Sequence, residues 1–330
     1  MGQDMKINAT YSEVKIENLE WPKHRSERYW EYRKKWEDYP KSGYVSDFPL
    51  CLDIETTNIC NLRCGMCPRT IQIDNGTYVD IGTMDMGLYK KIIDEGGENG
   101  LYSIKLQYLG EPLLDKYICE RIKYAKDHGV EDVAFNTNAT ELTEEMSHNL
   151  LEAGIDGIYF SVDSMDADTF NKIRPGSDFH IVINNIKNFM KIKNESGNYK
   201  HVQTRVSMTV MPANQHEVEP FKKYWLPIVG QVGFGEWVEH SSTAGEIIDY
   251  NPDFVCSQPF QRMFIMYDGV CTPCCVDDAR GYVVGEMGNS SVKEVWHGEA
   301  YQKLRESHLS HNYRDIEICK RCFMPFSKTG

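Results

Sequence analysis

Long apolar runs are missing from this 330-residue chain: nothing approaches the roughly eighteen residues that a membrane-spanning helix needs, so no membrane association is expected. The first residues, Met1-Gly2-Gln3-Asp4, lack the charged and apolar regions of a signal peptide, and the expected location is the cytosol. Basic residues are in deficit. Lys and Arg total 36 against 49 Asp and Glu, a formal net charge of -13 with no basic stripe, which argues against a nucleic-acid partner because phosphate neutralisation needs clustered cations. An even set of cysteines is absent too. The eleven thiols group at 60/64/67, 256/271/274/275 and 319/322, and in a reducing cytosol that grouping reads as metal ligation rather than disulfide bonding.

With 41% hydrophobic residues, the chain has material for one large domain and one small one. Residues 1–48 read as an N-terminal helical extension. Its charged, aromatic stretch Ser26 to Trp36 is expected to form a helix that stops before Pro40 and packs on the outside of the main domain. From residue 50, β-branched and aromatic runs alternate with helical segments, the pattern of βα units and a parallel sheet. Strands are expected at 51–55, 102–107, 132–136, 157–162, 202–210 and 231–236, with helices at 85–95, 115–128, 142–153, 179–193 and 215–225. Six such units predict an α/β fold with a partial (β/α)6 barrel, whose ligands sit at the carboxyl ends of the strands. The barrel is placed at 49–240 and a small C-terminal domain at 241–330.

Straight after the first barrel strand come Cys60, Cys64 and Cys67, a C-x3-C-x2-C run. Three thiolates can wrap one face of a 4Fe-4S cubane and leave one iron without a protein ligand; Cys64 and Cys67 by themselves suit half of a zinc site equally well. The run resembles the C-x3-C-x-φ-C signature of radical SAM enzymes, in which the open iron holds the amino and carboxylate groups of S-adenosylmethionine (SAM). Met66 stands at the φ position, where an aromatic is frequent, and still offers an apolar surface to an adenine.

Further segments resemble that family. Leu109-Gly110-Glu111-Pro112 is similar to its G-G-E-P turn, with leucine for the first glycine; the resemblance implies backbone carbonyls offered to the SAM ammonium. Asn136-Thr137-Asn138-Ala139 is similar to its T-N-G turn, with alanine for glycine, and Asn138 is either a site polar group or a turn residue. Ser161-Val162-Asp163 with Arg174-Pro175-Gly176 is similar to its S-x-D and R-P-G elements; by resemblance Ser161 and Arg174 bind the SAM carboxylate or ribose, while Arg174 suits a helix-cap ion pair as well. Met208 and Thr209 fall where the family packs the adenosyl group, and Met208 also suits plain core. Tyr108, Asp163, Glu236, Trp237, Glu239, His240, Ser241 and Ser242 are substrate-contact candidates at strand ends, Asp163 and Glu236 among them as catalytic candidates.

The C-terminal cysteines resemble the SPASM/Twitch extension of radical SAM enzymes, in spacing most like the aminocyclitol dehydrogenase of butirosin biosynthesis. The resemblance implies that Cys256, Cys274, Cys319 and Cys322 saturate one auxiliary 4Fe-4S cluster; a zinc ribbon is the plainer use of four thiols. Cys275 is then free to give a hydrogen atom to a carbon radical, with Cys271 an alternative, or both are inert. Cys51 and Cys119 are assigned to the core. The implied function is SAM cleavage to a 5'-deoxyadenosyl radical, hydrogen abstraction from a sugar or aminocyclitol, and oxidation assisted by the auxiliary cluster, with a flavodoxin- or ferredoxin-type reductant. Radical epimerisation through a cysteine donor, peptide maturation, and a metal-bearing binding protein without radical chemistry are the alternatives.

Overall fold

A computed structural model describes residues 3–8, 11–78, 80–237, 253–320, 322, 324 and 325. Eleven strands form one sheet: β1 Gln3–Asn8, β2 Tyr11–Lys15, β3 Cys51–Ile54, β4 Ser103–Lys105, β5 Asp132–Thr137, β6 Gly157–Ser161, β7 Gln203–Val210, β8 Gln231–Glu236, β9 Arg262–Ile265, β10 Val270–Thr272 and β11 Gly285–Glu286. Their order is β1-β2-β8-β7-β6-β5-β4-β3-β9-β10-β11. Strands β3 to β8 run parallel in chain order, the six strands expected from the sequence, and do not close on themselves. Beyond the six expected strands lie the hairpin β1–β2, antiparallel on β8, and β9, which pairs in parallel with β3 and carries β10 and β11 antiparallel beyond it. The boundary placed at residues 240/241 lies outside the described residues.

Twelve helices appear among the described residues: α1 Glu27–Ser42, α2 Pro68–Asp74, α3 Met86–Glu98, α4 Ile118–Asp127, α5 Glu144–Ala153, α6 Ala167–Ile173, α7 Phe179–Ser196, α8 Val218–Val229, α9 Gln258–Gln261, α10 Val292–Trp296, α11 Glu299–Leu309 and α12 Glu317–Lys320. Many of their starts are set by short polar side chains. Asp85, Thr143, Asp166 and Asp178 each accept an N–H from the first turn of α3, α5, α6 and α7, contacts of about 1 kcal/mol apiece. None of the described helices is long and apolar enough to cross a membrane.

The two faces of the barrel strands differ. Outward side chains such as Ile104, Leu106, Val133, Phe135, Ile158, Phe160 and Val206 are fully buried beneath Ile92, Ile122, Leu150, Ile186, Phe189 and Trp225 of the helices. Inward side chains between them, Lys105, Gln107, Asn136, Ser161, Arg205 and Ser207, are only half-buried. Helix packing thus dries one face of the sheet, while the enclosed face lines a space that solvent enters.

Helix α1 corrects the expected N-terminal arrangement. It lies across the amino ends of the strands rather than on the barrel's flank: Tyr29, Tyr32 and Trp36 pack with Leu50 and Tyr102, and Arg25 on its approach pairs with Asp132 and Asp156 at 2.9 and 3.2 Å. Nor does it stop before Pro40, which sits inside its last turn. Proline cannot donate to the carbonyl four residues earlier. That carbonyl, on Trp36, accepts from Gln261 Nε2 at 2.5 Å instead, so the proline leaves no orphan and α1 is fastened to α9.

Candidate functional site

The cysteine loop is built at the carboxyl end of β3. Asn58, almost wholly buried, brackets it: its amide donates to the Asp80 carbonyl at 2.9 Å and accepts from Gly82 N–H at 2.8 Å, while its own carbonyl accepts from Arg69 Nε and Tyr78 Oη. Cys67 N–H then donates to the Cys64 carbonyl, and Cys67 opens α2 by accepting from Thr70 and Ile71 N–H. Burial raises the Cys60 and Cys64 thiols, Cys64 to about 11; neighbouring Cys67 adds to both and Cys60 adds to Cys64, while Arg174 beside Cys64 acts in the opposite sense. Three neighbouring thiols, Cys64 buried and Cys60 and Cys67 half-buried, next to a cation fit a cluster that demands thiolates and is larger than a single metal ion. Met66 is half-buried in the same loop.

Gly110 is required by proximity. A Cβ there would collide with the Thr57 carbonyl and stand 2.9 Å from Asn58 Cα, so only glycine lets the Gly110-Glu111-Pro112 turn lie on the cysteine loop. Glu111 then joins three segments. Its N–H donates to the Ile59 carbonyl at 2.8 Å, and its carboxylate accepts from Thr137 Oγ1 at 2.6 Å, Asn138 N–H at 2.7 Å and Leu113 N–H at 3.2 Å. Pro112 is buried behind it. Asn138 reaches the cysteine loop itself, donating to Asn61 Oδ1 at 3.0 Å, while its oxygen accepts from Thr140 N–H. Ala139 takes φ of +59°, the conformation for which the related turn uses glycine.

Ser161 stands half-buried at the end of β6. Two residues on, Asp163 is 1% exposed and committed: Oδ2 lies 2.7 Å from Arg174 Nη2, and Oδ1 accepts from Thr209 N–H at 2.7 Å. Arg174 faces Cys64 across this pair, and its Nε is buried without a hydrogen-bond partner. An orphan guanidinium donor beside the thiols fits the carboxylate of SAM. Met208, 1% exposed, lies in the main apolar cluster under the helices.

Cys256, Cys274, Cys319 and Cys322 line one cavity, walled otherwise by Phe254, Pro273, Leu304, Ile318 and Met324. They surround a volume rather than a point: among the described residues no three His, Cys, Asp or Glu converge tightly enough for a single metal ion. Burial raises all four thiols, Cys322 to about 11, the state that a cluster would reverse. Cys275 is exposed at the rim; its thiol accepts from Gln258 Nε2 at 3.4 Å and its carbonyl from Tyr108 Oη at 3.4 Å, which joins the cavity to the barrel mouth. Cys271 is fully buried on β10, as is Cys51 on β3, and Cys119 is half-buried against Met146. Glu236 and Trp237 are exposed at the end of β8; Glu239, His240, Ser241 and Ser242 lie outside the described residues.

Two residues that the motifs did not reveal belong here. Glu55, 2% exposed, accepts from Leu109 N–H at 3.1 Å and Tyr267 N–H at 3.5 Å, tying the Gly110 turn to the hairpin after β9; burial pushes its carboxyl up to about 7. His308 is buried against the auxiliary cavity, with Nδ1 accepting from Cys256 N–H at 3.3 Å and Nε2 3.6 Å from Cys319 Sγ. A carboxylate just past β3, directly ahead of the cysteine loop, was the visible signal for Glu55. His308 had none, since its partners are distant in sequence.

Residues 54–224 match the Radical SAM superfamily, and residues 256–323 match the iron-sulfur cluster-binding domain SPASM. A GTP 3',8-cyclase of Alkaliphilus metalliredigens is 31% identical over 140 residues, 42% of this chain and 42% of that protein, so the chain matches less than half the relative's length. Two solved structures share the fold. BtrN, in complex with AdoMet and 2-DOIA, has a TM-score of 0.52 at 18% identity, over 82% of this chain and 92% of its own. Native anSMEcpe, with AdoMet and the Cp18Cys peptide, has a TM-score of 0.59 at 15% identity, over 84% and 87%.

Proposed function

The chain belongs to the radical SAM superfamily, and from that membership we propose that it dehydrogenates a hydroxyl-bearing carbon of a small sugar or aminocyclitol. Its two matched domains bring a SAM-binding 4Fe-4S cluster and an auxiliary iron-sulfur cluster. Reductive cleavage of SAM supplies the 5'-deoxyadenosyl radical that takes the substrate hydrogen. We assign Cys60, Cys64 and Cys67 to the first cluster and Cys256, Cys274, Cys319 and Cys322 to the second. Arg174, held by Asp163, would take the SAM carboxylate through its orphan Nε. Glu111, with its carboxylate spent on Thr137, Asn138 and Leu113, orients the turn rather than touching the cofactor.

The observation carrying the oxidative reading is the set of four thiols around one cavity beside the barrel mouth. Held by four thiolates, a cluster would have no open iron and would supply an acceptor for the one electron that a carbinol radical must lose, alongside one proton to a base, to become a ketone. Cys275 favours a second reading: an exposed thiol between Gln258 and Tyr108 can return a hydrogen atom and invert a centre.

Anaerobic reconstitution, iron counting and a 5'-deoxyadenosine assay test the common core. Oxidation gives a carbonyl product, whereas epimerisation in heavy water leaves deuterium at the inverted carbon. Zinc in place of iron after anaerobic preparation, or no SAM cleavage with both clusters filled, would favour the binding-protein account.

A further inference from the structure

Inside the barrel the charge balance runs opposite to that of the chain. Strand alternation turns three cations to the enclosed space, Lys105 from β4, Arg205 from β7 and Arg262 from β9, and a fourth, Arg33 from α1, lies within range of inward Tyr159. Two of them are neutralised. Arg262 Nη1 lies 3.2 Å from Asp53 Oδ2, and Arg205 Nη1 lies 2.9 Å from Glu13 Oε1, a carboxylate shared with Lys15. Arg33 and Lys105 have no ion-pair or hydrogen-bond partner among the described residues; they touch aromatic rings, and Asp132 and Asp53, each engaged by another arginine, act on them only at longer range. The rings gather the four cations in two pairs, and Tyr159, which holds one pair, is also among the groups acting on Arg33 of the other. Lys105 Nζ and the Arg205 guanidinium sit 5.9 and 4.3 Å from the Tyr159 centroid, while Arg33 and Arg262 sit 5.5 and 4.7 Å from Trp36.

Unpaired charge is normally left in bulk water, because partial desolvation with no counter-charge is costly. Here it is held within the fold. All four side chains are half-buried rather than sealed although they lie within the barrel or against its amino end, so they line space that water reaches. Burial, and after it the neighbouring charge of Arg262, pulls the Lys105 ammonium below its ordinary value, a penalty that a bound anion would remove.

We propose that Arg33, Lys105 and Arg205 form an oxyanion subsite on the inner face of the barrel, which holds a phosphate or carboxylate of the substrate below the carbon presented to the cysteine loop. The proposal rests on the radical reading of the barrel mouth and narrows its substrate: an acidic sugar or sugar phosphate fits this interior, and a cationic aminocyclitol does not.

Equilibrium binding to the reconstituted, SAM-loaded protein tests it, with glucose 1-phosphate, glucuronate and glucose as probes. At least one of the two anions should bind and glucose should not, and the anion that binds identifies the group. Lys105→Gln should weaken that binding about tenfold, the loss of one charge-assisted contact, and Arg33→Gln, on a different element, should do likewise. Iron content and thermal melts establish that each variant is folded. Absence of anion binding by a wild-type protein that does form 5'-deoxyadenosine would overturn the subsite and leave the dehydrogenase reading standing. Anion binding unchanged in both variants would also overturn it. Failure of 5'-deoxyadenosine formation, by contrast, strikes the radical reading itself.

Discussion

Asp163 and Arg174 meet 2.7 Å apart in a place that water scarcely reaches, their residues 1% and 7% exposed, at the junction of β6, β7 and the cysteine loop. Breaking such a pair from one side strands the other charge, at a cost of about 3–5 kcal/mol. Arg174→Met should therefore lower the urea midpoint of the reconstituted protein by that equivalent. A loss below about 1 kcal/mol would mark the pair as water-screened, like an ordinary surface bridge.

Gly110→Ala should abolish 5'-deoxyadenosine formation. The added methyl meets Thr57 and Asn58 backbone, which cannot swing away as a side chain could, so the turn must lift from the cysteine loop. Assaying SAM cleavage against iron content would show this; a variant with normal iron and normal turnover would refute the proximity argument.

Glu55 sets a pH dependence. Its carboxyl ordinarily titrates near 4.5, and burial raises it to about 7 in the fold, offset in part by the N–H groups of Leu109 and Tyr267. Between those values the folded chain keeps a proton that the unfolded chain releases. The contribution is thus complete below about 4.5 and lost as pH rises through about 7, on the order of 3 kcal/mol in total. Urea midpoints from about pH 5 to about pH 8 should show wild type losing ground to Glu55→Gln, then levelling off; parallel curves would contradict the assignment.

His308 fixes a tautomer. Because Nδ1 accepts from Cys256 N–H, Nε2 carries the hydrogen and directs it at Cys319 Sγ. Hydrogen bonds to ligand sulfur raise an iron-sulfur potential. In EPR-monitored redox titrations, His308→Phe should shift the auxiliary cluster to a more negative potential, and His308→Gln, which keeps a donor, should shift it less.

The parallel strands and the cysteine frameworks were legible because local chemistry marks them: β-branched runs between capped helices, and thiols at fixed spacing. The plug formed by α1 was harder to see. Tyr29, Tyr32 and Trp36 recur at helical spacing, but intervening Glu31, Arg33, Lys34 and Lys35 suggest a solvated helix, and the outcome depends on Leu50 and Tyr102 far along the chain. Pro40 looks like a stop in the sequence because the group that satisfies the freed Trp36 carbonyl, Gln261, lies on another element. A clue to the wet interior did stand in the strands. Ser103-Ile104-Lys105-Leu106-Gln107 and Arg205-Val206-Ser207-Met208 alternate polar with apolar, whereas parallel strands covered on both faces read as continuous apolar runs.

The parallel pairing of β9 with β3 also has a temporal side. The strand that launches the cysteine loop has β4 on one flank and residues 262–265 on the other. During synthesis Cys60, Cys64 and Cys67 leave the ribosome long before that second flank exists, and pairings between distant segments form late because the intervening loop must first be closed. The strand beneath the loop is flanked on both sides only when Arg262 to Ile265 arrive, so the support of the first thiol group is completed by the region that carries the auxiliary thiols.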